Sequence, residues 1–152
     1  MLSLGKKAPQ FSLPDQDGTV HSLQDYFGKK VLLYFYPKDD TPGCTTEACN
    51  FRDNHKELMN MGLVILGVSK DSVKSHKKFA EKYTLPFPLL SDEDTKVAQA
   101  YGVWGLKKFM GREYMGITRS SFLIDEAGNI AKIYEQVKPA DHVEEVKGDV
   151  KK

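Results

Sequence analysis

Two runs of almost continuously apolar residues constrain the fold of this chain more than any other feature. They are VLLYFY at residues 31–36 and LVILGVS at residues 63–69, and both are rich in β-branched and aromatic side chains. A strand without polar alternation is typical of a sheet that is covered on both faces. Because each run is followed by a stretch of helical period, we expect βαβ units in an α/β fold, with a central mixed or parallel sheet flanked by helices.

Turn and capping residues predict where the other elements lie. Residues 10–23 are expected to form an N-terminal β-hairpin at an edge of the sheet, because they contain the turn dipeptide Asp-Gly. A helix is expected from about Thr41 to Asn60, since Thr is a good N-cap and Pro is tolerated in a first turn. The remaining predicted elements are a helix over 72–83 capped by Asp71, a short helix over 95–101, a hairpin over 120–135 and a helix from Ala140 whose end Gly148 should weaken.

The length and the charge balance bound the functional classes. A chain of 152 residues is expected to form a single domain over residues 1–152, with a core large enough to fold without a disulfide or a metal. Its 22 Lys and Arg against 21 Asp and Glu give a net charge of +1, which argues against a nucleic-acid partner. No apolar run approaches the ~20 residues of a membrane-spanning helix, and no signal-peptide pattern opens the sequence. We therefore expect a cytoplasmic protein without a membrane partner.

The chain has two cysteines, and both lie just after the first apolar run, where strand gives way to helix. In a reducing compartment such a pair is more often redox-active or metal-binding than structural. Cys44 falls at the start of the predicted helix, where free backbone N–H groups and the positive end of the helix dipole stabilise a thiolate. Cys44 is therefore a candidate nucleophile.

The spacing of Cys44 and Cys49 suits a disulfide that forms only conditionally. On an intact helix, residues five positions apart have Cα atoms ~8.7 Å apart, whereas a disulfide requires ~4.4 to 6.8 Å. The pair can therefore bond only after a turn or two of the helix unwinds. If Cys44 is oxidised to a sulfenic acid, local unfolding would let Cys49 attack it and expel water.

Other interpretations of the cysteines remain open from the residues alone. Both could be small core residues whose spacing is accidental. A zinc site is disfavoured, because no pair of histidines in a ligand pattern completes four ligands with the two cysteines. A cysteine hydrolase would need a base beside the nucleophile, and the sequence places none there. Solvated helix faces are the expected place for His21, His55, His76 and His142.

The segment YFYPKDDTPGCTTEAC at residues 34–49 resembles the active-site stretch of the peroxiredoxins, in particular the peroxiredoxin Q or bacterioferritin comigratory protein group. The resemblance covers nearly the whole chain, including GKKAPQFSLPDQDG, VILGVSKDSVKSHKKFAEKY and GREYMGITRSSFLIDEAG. It implies a thioredoxin-like fold and thiol-dependent reduction of hydrogen peroxide and alkyl hydroperoxides, with no metal, haem or other cofactor.

By position, the resemblance implies a role for each cysteine. Cys44 is similar to the peroxidatic cysteine, which attacks the peroxide, and Cys49 to the resolving cysteine, which condenses with the resulting sulfenic acid to give an intramolecular Cys44–Cys49 disulfide. Thioredoxin or a similar dithiol is the implied reductant of that disulfide.

The resemblance also implies roles for four other side chains. Thr41 matches the residue whose hydroxyl binds the thiolate and the peroxide, and Pro37 the residue that shields the pocket. Arg119 matches the guanidinium beside the sulfur, and Glu47 the carboxylate that orients it. From local context alone Arg112 would be an equal candidate for the guanidinium, and only the flanking run RSSFLID singles out Arg119.

Two functions of other classes remain as alternatives. One is a thiol redox sensor that relays its disulfide to a partner protein. The other is a thioredoxin-fold binding module whose cysteines are incidental. No apolar stripe recognisable in the sequence demands a second copy of the chain, so a monomer is expected.

Overall fold

The computed structural model describes residues 2–151, and Met1 and Lys152, the two ends of the predicted 1–152 domain, lie outside the described residues. Among the described residues, no helix is long and apolar enough to cross a lipid bilayer. The elements in chain order are β1 (Ser12–Pro14), β2 (Val20–Ser22), a short 3-10 helix (Leu23–Tyr26), β3 (Lys30–Phe35), α1 (Pro42–Asn60), β4 (Leu63–Ser69), α2 (Val73–Tyr83), β5 (Leu89–Ser91), α3 (Lys96–Ala100), β6 (Trp104–Phe109), β7 (Arg112–Ile117), β8 (Ser120–Ile124), β9 (Ile130–Tyr134) and α4 (His142–Val150).

The central sheet has five strands in the order β5-β4-β3-β8-β9. The first apolar run forms β3 in the middle of this sheet, where it pairs in parallel with β4 and antiparallel with β8. Strands β4 and β5 are parallel, and β8 and β9 form the predicted antiparallel hairpin. The prediction of an α/β fold with a central mixed sheet flanked by helices is therefore confirmed.

Alternate residues of β3 face two separate cores. Leu32, Tyr34 and the following Tyr36 pack with apolar residues of α1, α2 and α4 on one face. Leu33 and Phe35 pack on the other face with α3 and the N-terminal segment. Burial on both faces explains why this strand has no polar alternation. Residues 36–41 connect the carboxyl end of β3 to the start of α1.

The N-terminal hairpin is present, and it forms a two-stranded sheet of its own from β1 and β2. Its turn is closed by Asp15, whose Oδ1 accepts hydrogen bonds from the backbone N–H groups of Asp17 at 2.8 Å and Thr19 at 3.0 Å. The Oε1 of Gln16 accepts a hydrogen bond at 2.8 Å from the N–H of Leu89 in β5. The hairpin is therefore attached beside an edge strand of the central sheet, as expected.

The hairpin of β6 and β7 was not predicted from the sequence. Its turn lies at Met110 and Gly111, which have φ angles of 49° and 77°. Apolar side chains are exposed along it, and Met110 is 87% exposed at the tip. The other large hydrophobic residues exposed on this hairpin are Leu106, Phe109, Tyr114 and Met115. Lysines and glutamate are interspersed among these apolar residues, so they form no continuous stripe, and the expected monomer stays a prediction.

Two predictions about polar residues are also wrong. The N-cap of α2 is Ser72, whose hydroxyl accepts from the N–H of Ser75, and Asp71 does not cap the helix. His76 and His142 are buried rather than solvated. Each ring makes two hydrogen bonds, and satisfied hydrogen bonds are what allow a polar ring to be buried.

The C-terminal helix α4 extends through Gly148 to Val150, although the glycine was expected to weaken this end. Val150 is buried against the core, and the Asp149 carboxylate accepts a hydrogen bond from the Tyr134 hydroxyl at 2.7 Å. Tertiary packing therefore outweighs the low helix propensity of glycine here.

Candidate active site

Cys44 lies in the first turn of α1, at the carboxyl end of the central strand β3. The chain enters the helix through Thr41, which is extended with φ −103° and ψ 156°, and Pro42 occupies the first helical position. Both cysteines are free thiols, Cys44 buried and Cys49 half-buried. The Cys44 side chain is thus placed among the free N–H groups of a helix N-terminus, as the sequence predicted.

Arg119 contacts the Cys44 sulfur from a distant part of the chain. It lies between β7 and β8, and its Nη2 donates a hydrogen bond to Cys44 Sγ at 3.3 Å. Its Nη1 donates to Glu47 Oε1 at 2.8 Å. The Arg119 side chain is 16% exposed and that of Glu47 is 0% exposed. One planar guanidinium thus joins the sulfur and a buried carboxylate, a fork geometry that arginine alone provides.

Burial dominates the electrostatics of Glu47. It raises the pKa of this carboxyl from 4.5 to about 7, although the Arg119 guanidinium pulls the pKa in the opposite direction. Among the described residues, Glu47 Oε2 and the hydroxyl of Tyr34 are the buried side-chain polar atoms without a hydrogen-bond partner. Burial, with Glu47 and Cys44 nearby, raises the pKa of Tyr34 well above its usual value, so this phenol stays neutral.

Gly43 leaves the space that the guanidinium occupies. A Cβ atom added to this residue would lie 2.9 Å from Arg119 Nη2 and 3.7 Å from its Cζ. Gly43 was not among the site residues predicted from the sequence. A signal was available, because glycine inside a first helical turn costs helix stability and often marks a close approach of another group.

The structure does not bring Thr41 to the sulfur in the way that the resemblance implied. Its hydroxyl donates a hydrogen bond at 2.9 Å to the carbonyl of Lys38, and within residues 2–151 no hydrogen bond joins Thr41 to Cys44. A hydroxyl has one hydrogen to donate, so Thr41 must rotate before it can donate to a thiolate or a ligand. Pro37 is half-buried at the end of β3, within the same loop.

Cys49 lies on the same intact helix as Cys44. Because α1 is continuous from Pro42 to Asn60, the five-residue spacing keeps the two Cα atoms ~8.7 Å apart. No disulfide joins them, and both remain free. The structure is therefore that of a reduced pair that must change conformation before the two sulfur atoms can bond.

Glu47 should make the stability of the protein depend on pH. Its pKa is about 7 in the folded chain against 4.5 for a free carboxyl, so the folded state holds the proton more tightly. That stabilisation is fully present below pH 4.5 and is lost as the pH rises through about 7, an expected decrease of about 3 kcal/mol in the free energy of unfolding. Glu47→Gln cannot titrate and should lack this decrease.

The measurement is urea unfolding of both proteins at several pH values between 4.5 and 7.5. Other titrating groups affect both proteins equally, so the difference between the two curves isolates Glu47. If the free energy of unfolding changed with pH in the same way for wild type and Glu47→Gln, the raised pKa assigned to Glu47 would be contradicted.

The arrangement can stabilise negative charge at two neighbouring points. A fixed cation and a helix N-terminus place positive charge beside the Cys44 sulfur. The remaining N–H groups of the guanidinium can donate to an oxygen atom that approaches the sulfur. The site is therefore suited to attack by sulfur on an electrophile whose leaving atom becomes an anion.

Comparison with known proteins identifies relatives of this chain. The family model described as the AhpC/TSA family matches residues 4–133. A putative peroxiredoxin, Bcp, of Coxiella burnetii is 55% identical over 147 residues, which cover 97% of this chain and 97% of that protein. Peroxiredoxin Bcp of Bacillus subtilis is 54% identical over 144 residues, which cover 95% of this chain and 92% of that protein.

The fold has a similarly close counterpart among solved structures. The bacterioferritin comigratory protein of Xanthomonas campestris, whose structures were solved to examine alkyl peroxide reduction, superposes with a TM-score of 0.91. It is 37% identical in sequence, and the superposition covers 98% of each chain.

Proposed function

This chain belongs to the AhpC/TSA family and is a peroxiredoxin of the Bcp, or peroxiredoxin Q, group, and on that basis we propose a two-cysteine catalytic cycle for it. Peroxiredoxins are thiol-dependent peroxidases with a thioredoxin-like fold, so the function and the fold that the resemblance implied are both confirmed.

In the first step, the Cys44 thiolate attacks the terminal oxygen of the peroxide. The S–O bond forms as the O–O bond breaks, and the leaving oxygen takes up a proton to become water or an alcohol. The observation that carries this assignment is the hydrogen bond from Arg119 Nη2 to Cys44 Sγ at 3.3 Å. A guanidinium fixed in this place stabilises both the thiolate and the charge that develops on the leaving oxygen.

Three further residues complete the proposed site. Glu47 holds the guanidinium through its hydrogen bond at 2.8 Å. The Thr41 hydroxyl rotates from the Lys38 carbonyl to donate to the bound peroxide, and Pro37 limits access of water to the sulfur. The role of Glu47 is supported by its hydrogen bond to Arg119, and that of Thr41 requires its hydroxyl to leave the Lys38 carbonyl.

In the second step, the Cys49 thiol attacks the sulfenic acid of Cys44. The S–S bond forms, the S–O bond breaks, and hydroxide leaves with the proton of the Cys49 thiol as water. The start of α1 must unwind, because the intact helix separates the two residues by ~8.7 Å. Unwinding exposes buried Glu47 and Ala48 and therefore costs free energy. Formation of the disulfide offsets the free-energy cost of unwinding.

Peroxide substrates and a dithiol reductant complete the cycle. The relative from Xanthomonas campestris reduces alkyl peroxides, and we propose hydrogen peroxide and alkyl hydroperoxides as substrates of this enzyme. Thioredoxin or a similar dithiol supplies two electrons through thiol–disulfide exchange, which breaks the Cys44–Cys49 bond and regenerates both thiols.

Cys49→Ser separates the two steps and tests the cycle. Its Cys44 should still consume one equivalent of peroxide, but turnover with thioredoxin should stop because no thiol is available to form the disulfide. The measurement is peroxide-dependent NADPH consumption with thioredoxin and thioredoxin reductase, compared with wild type. Sustained turnover by Cys49→Ser would argue for a one-cysteine cycle. A single rapid oxidation of wild type without turnover would favour a redox sensor.

Gly43→Ala should slow the first step without a matching loss of stability. The new Cβ would lie 2.9 Å from Arg119 Nη2, so the guanidinium must move away from the sulfur. We expect the rate constant for oxidation of Cys44 by peroxide to fall by about 10-fold. Stopped-flow oxidation under single-turnover conditions measures this rate.

Gly148→Ala is the matched control, because it is also a helical glycine and a Cβ there would meet no atom within 4 Å. It should leave the oxidation rate unchanged and stabilise α4 by up to about 1 kcal/mol. Equal oxidation rates for the two variants would contradict the role given to Gly43.

A further inference from the structure

A buried carboxylate–imidazole pair lies behind the loop that leads into α1. This loop, residues 36–41, is called the active-site loop below. Asp39 of the loop shares a hydrogen bond of 2.7 Å between its Oδ2 and Nδ1 of His76 on α2. The Asp39 carboxylate also accepts from the hydroxyls of Tyr36 at 2.5 Å and Ser75 at 2.8 Å. The His76 side chain is 0% exposed and that of Asp39 is 3% exposed.

The hydrogen bonds define how the pair is charged. His76 Nε2 lies 3.0 Å from the carbonyl oxygen of Leu90, which can only accept, so Nε2 carries a hydrogen. The bond between Nδ1 and the Asp39 carboxylate contains one further proton, whichever group it belongs to. The pair is therefore neutral as a unit, and a neutral hydrogen-bonded unit can be buried at far lower cost than a single charge.

Other contacts fasten the same loop to the structure around α2. The Asp39 N–H donates at 2.9 Å to Asp71 Oδ2, which also accepts from the Ser69 hydroxyl at 2.6 Å. The carboxylate of Asp40 accepts from Lys82 Nζ at 2.8 Å and from the Tyr83 hydroxyl at 2.9 Å. These contacts hold Asp40 at φ 57°, a left-handed conformation that a non-glycine residue seldom adopts.

Asp39, Asp71 and His76 also present ligand-type atoms within 4.8 Å of one another. Both carboxylate oxygens of Asp39 and both ring nitrogens of His76 are already engaged with groups of the protein. The cluster is therefore a hydrogen-bond network that connects the loop to α2.

The active-site loop is short, so its attachment determines where the neighbouring site residues lie. Pro37 precedes Asp39 by two positions, and Thr41 follows it by two and caps the helix that carries Cys44. We propose that the buried Asp39–His76 pair positions the active-site loop, and through it Pro37, Thr41 and the first turn of α1, for attack by the Cys44 thiolate on peroxide. The pair touches neither the sulfur nor the substrate, so both are positioning residues.

This inference rests on the proposed role of Cys44 and not on the disulfide step. It predicts that loss of the pair slows oxidation of Cys44. Disulfide formation should not be slowed, because the unwinding of α1 does not require the loop to detach from α2. A merely structural role would lower the resistance to unfolding and leave the oxidation rate per folded molecule unchanged.

The test measures the two steps separately in two variants. His76→Gln keeps a polar side chain, but both of its donor hydrogens lie on one nitrogen, so it cannot span Asp39 and Leu90 as the two ring nitrogens do. Tyr36→Phe removes only the hydroxyl that donates to Asp39. Tyr101→Phe is the matched control, because its hydroxyl donates at 2.6 Å to the Pro9 carbonyl and it lies on the opposite face of the sheet. Each substitution is made both alone and together with Cys49→Ser.

With Cys49→Ser, stopped-flow mixing with hydrogen peroxide gives the oxidation rate of Cys44 per reactive thiol. We expect a decrease of about 10-fold or more for His76→Gln, a smaller decrease for Tyr36→Phe, and no change for Tyr101→Phe. Urea unfolding of the same proteins provides the stability of each. If both His76→Gln and Tyr36→Phe were oxidised at the wild-type rate, the proposal would be overturned.

With Cys49 present, the rate of disulfide formation should be the same in His76→Gln as in wild type. An equal slowing of both steps would overturn the proposal in favour of general loss of structure. If wild type forms no disulfide at all, the two-cysteine cycle fails, and the comparison of oxidation rates still decides whether the pair positions the loop.

Discussion

Cys44→Ser is expected to lose peroxidase activity to the level of the uncatalysed reaction, a decrease of about 10⁴-fold or more. A serine hydroxyl is not ionised at neutral pH, and no other thiol lies beside Arg119 to replace the nucleophile. The helix start should still form, because Thr41 and Pro42 supply the entry into α1 and serine is similar in size to cysteine. The measurement is peroxide-dependent NADPH consumption with thioredoxin and its reductase.

The folded state of Cys44→Ser is checked by circular dichroism and urea unfolding, which should resemble those of wild type. Substantial peroxidase activity in this variant would contradict the assignment of Cys44 as the nucleophile. Activity carried by Cys49 instead would be identified by its loss in the double variant Cys44→Ser, Cys49→Ser.

Arg119→Gln is expected to lower the rate constant for oxidation of Cys44 by about 10²- to 10³-fold. The variant loses the donor that lies 3.3 Å from Cys44 Sγ and the positive charge beside it. Glu47, left without its charged partner in a buried place, should then keep its proton over a wider pH range. Stopped-flow oxidation by hydrogen peroxide over a range of concentrations measures the rate.

Two further variants make the test of Arg119 specific. Arg119→Lys keeps the charge but cannot bond the sulfur and Glu47 with one planar group, so its rate should lie between those of wild type and Arg119→Gln. Arg112→Gln removes an exposed guanidinium from the turn end of β7 and should leave the rate unchanged. If Arg112→Gln and Arg119→Gln lowered the oxidation rate equally, general positive charge, and not the fixed guanidinium, would accelerate the reaction.

The part of the fold that could be predicted from the sequence is the part with strong local signals. β3 and β4 follow from apolar runs that only a doubly covered strand explains, and the start of α1 follows from Thr41 and Pro42. The hairpin of β6 and β7 lacked such signals, because exposed apolar and charged side chains are mixed on both of its faces and Met110-Gly111 is not a strong turn dipeptide.

The site was predictable only in part, for a related reason. The position of Cys44 at a helix start follows from local sequence. The contact between Arg119 and Cys44 joins residues 75 positions apart, and no local pattern distinguishes Arg119 from Arg112. Its identification depended on the resemblance to known peroxiredoxins.

The burial of His76 shows how a long-range partner can reverse a local expectation. Residue type suggested a solvated position, although residues three apart on a helix, such as His76 and Phe79, share a face. Asp39, the side chain that satisfies the ring, lies 37 positions away. Without that partner a buried imidazole would be costly, and the sequence gives no means of pairing the two residues.

The most direct test of the two-cysteine cycle is the state of residues 39–52 after one equivalent of hydrogen peroxide. Trypsin cleaves after Lys38 and Arg52, so a single peptide carries Cys44 and Cys49. After alkylation under denaturing conditions, the account predicts that this peptide carries no alkyl group and is lighter than the reduced peptide by its two thiol hydrogens. A peptide with Cys49 alkylated and Cys44 present as sulfenic acid, or linked to a second chain, would contradict the intramolecular disulfide.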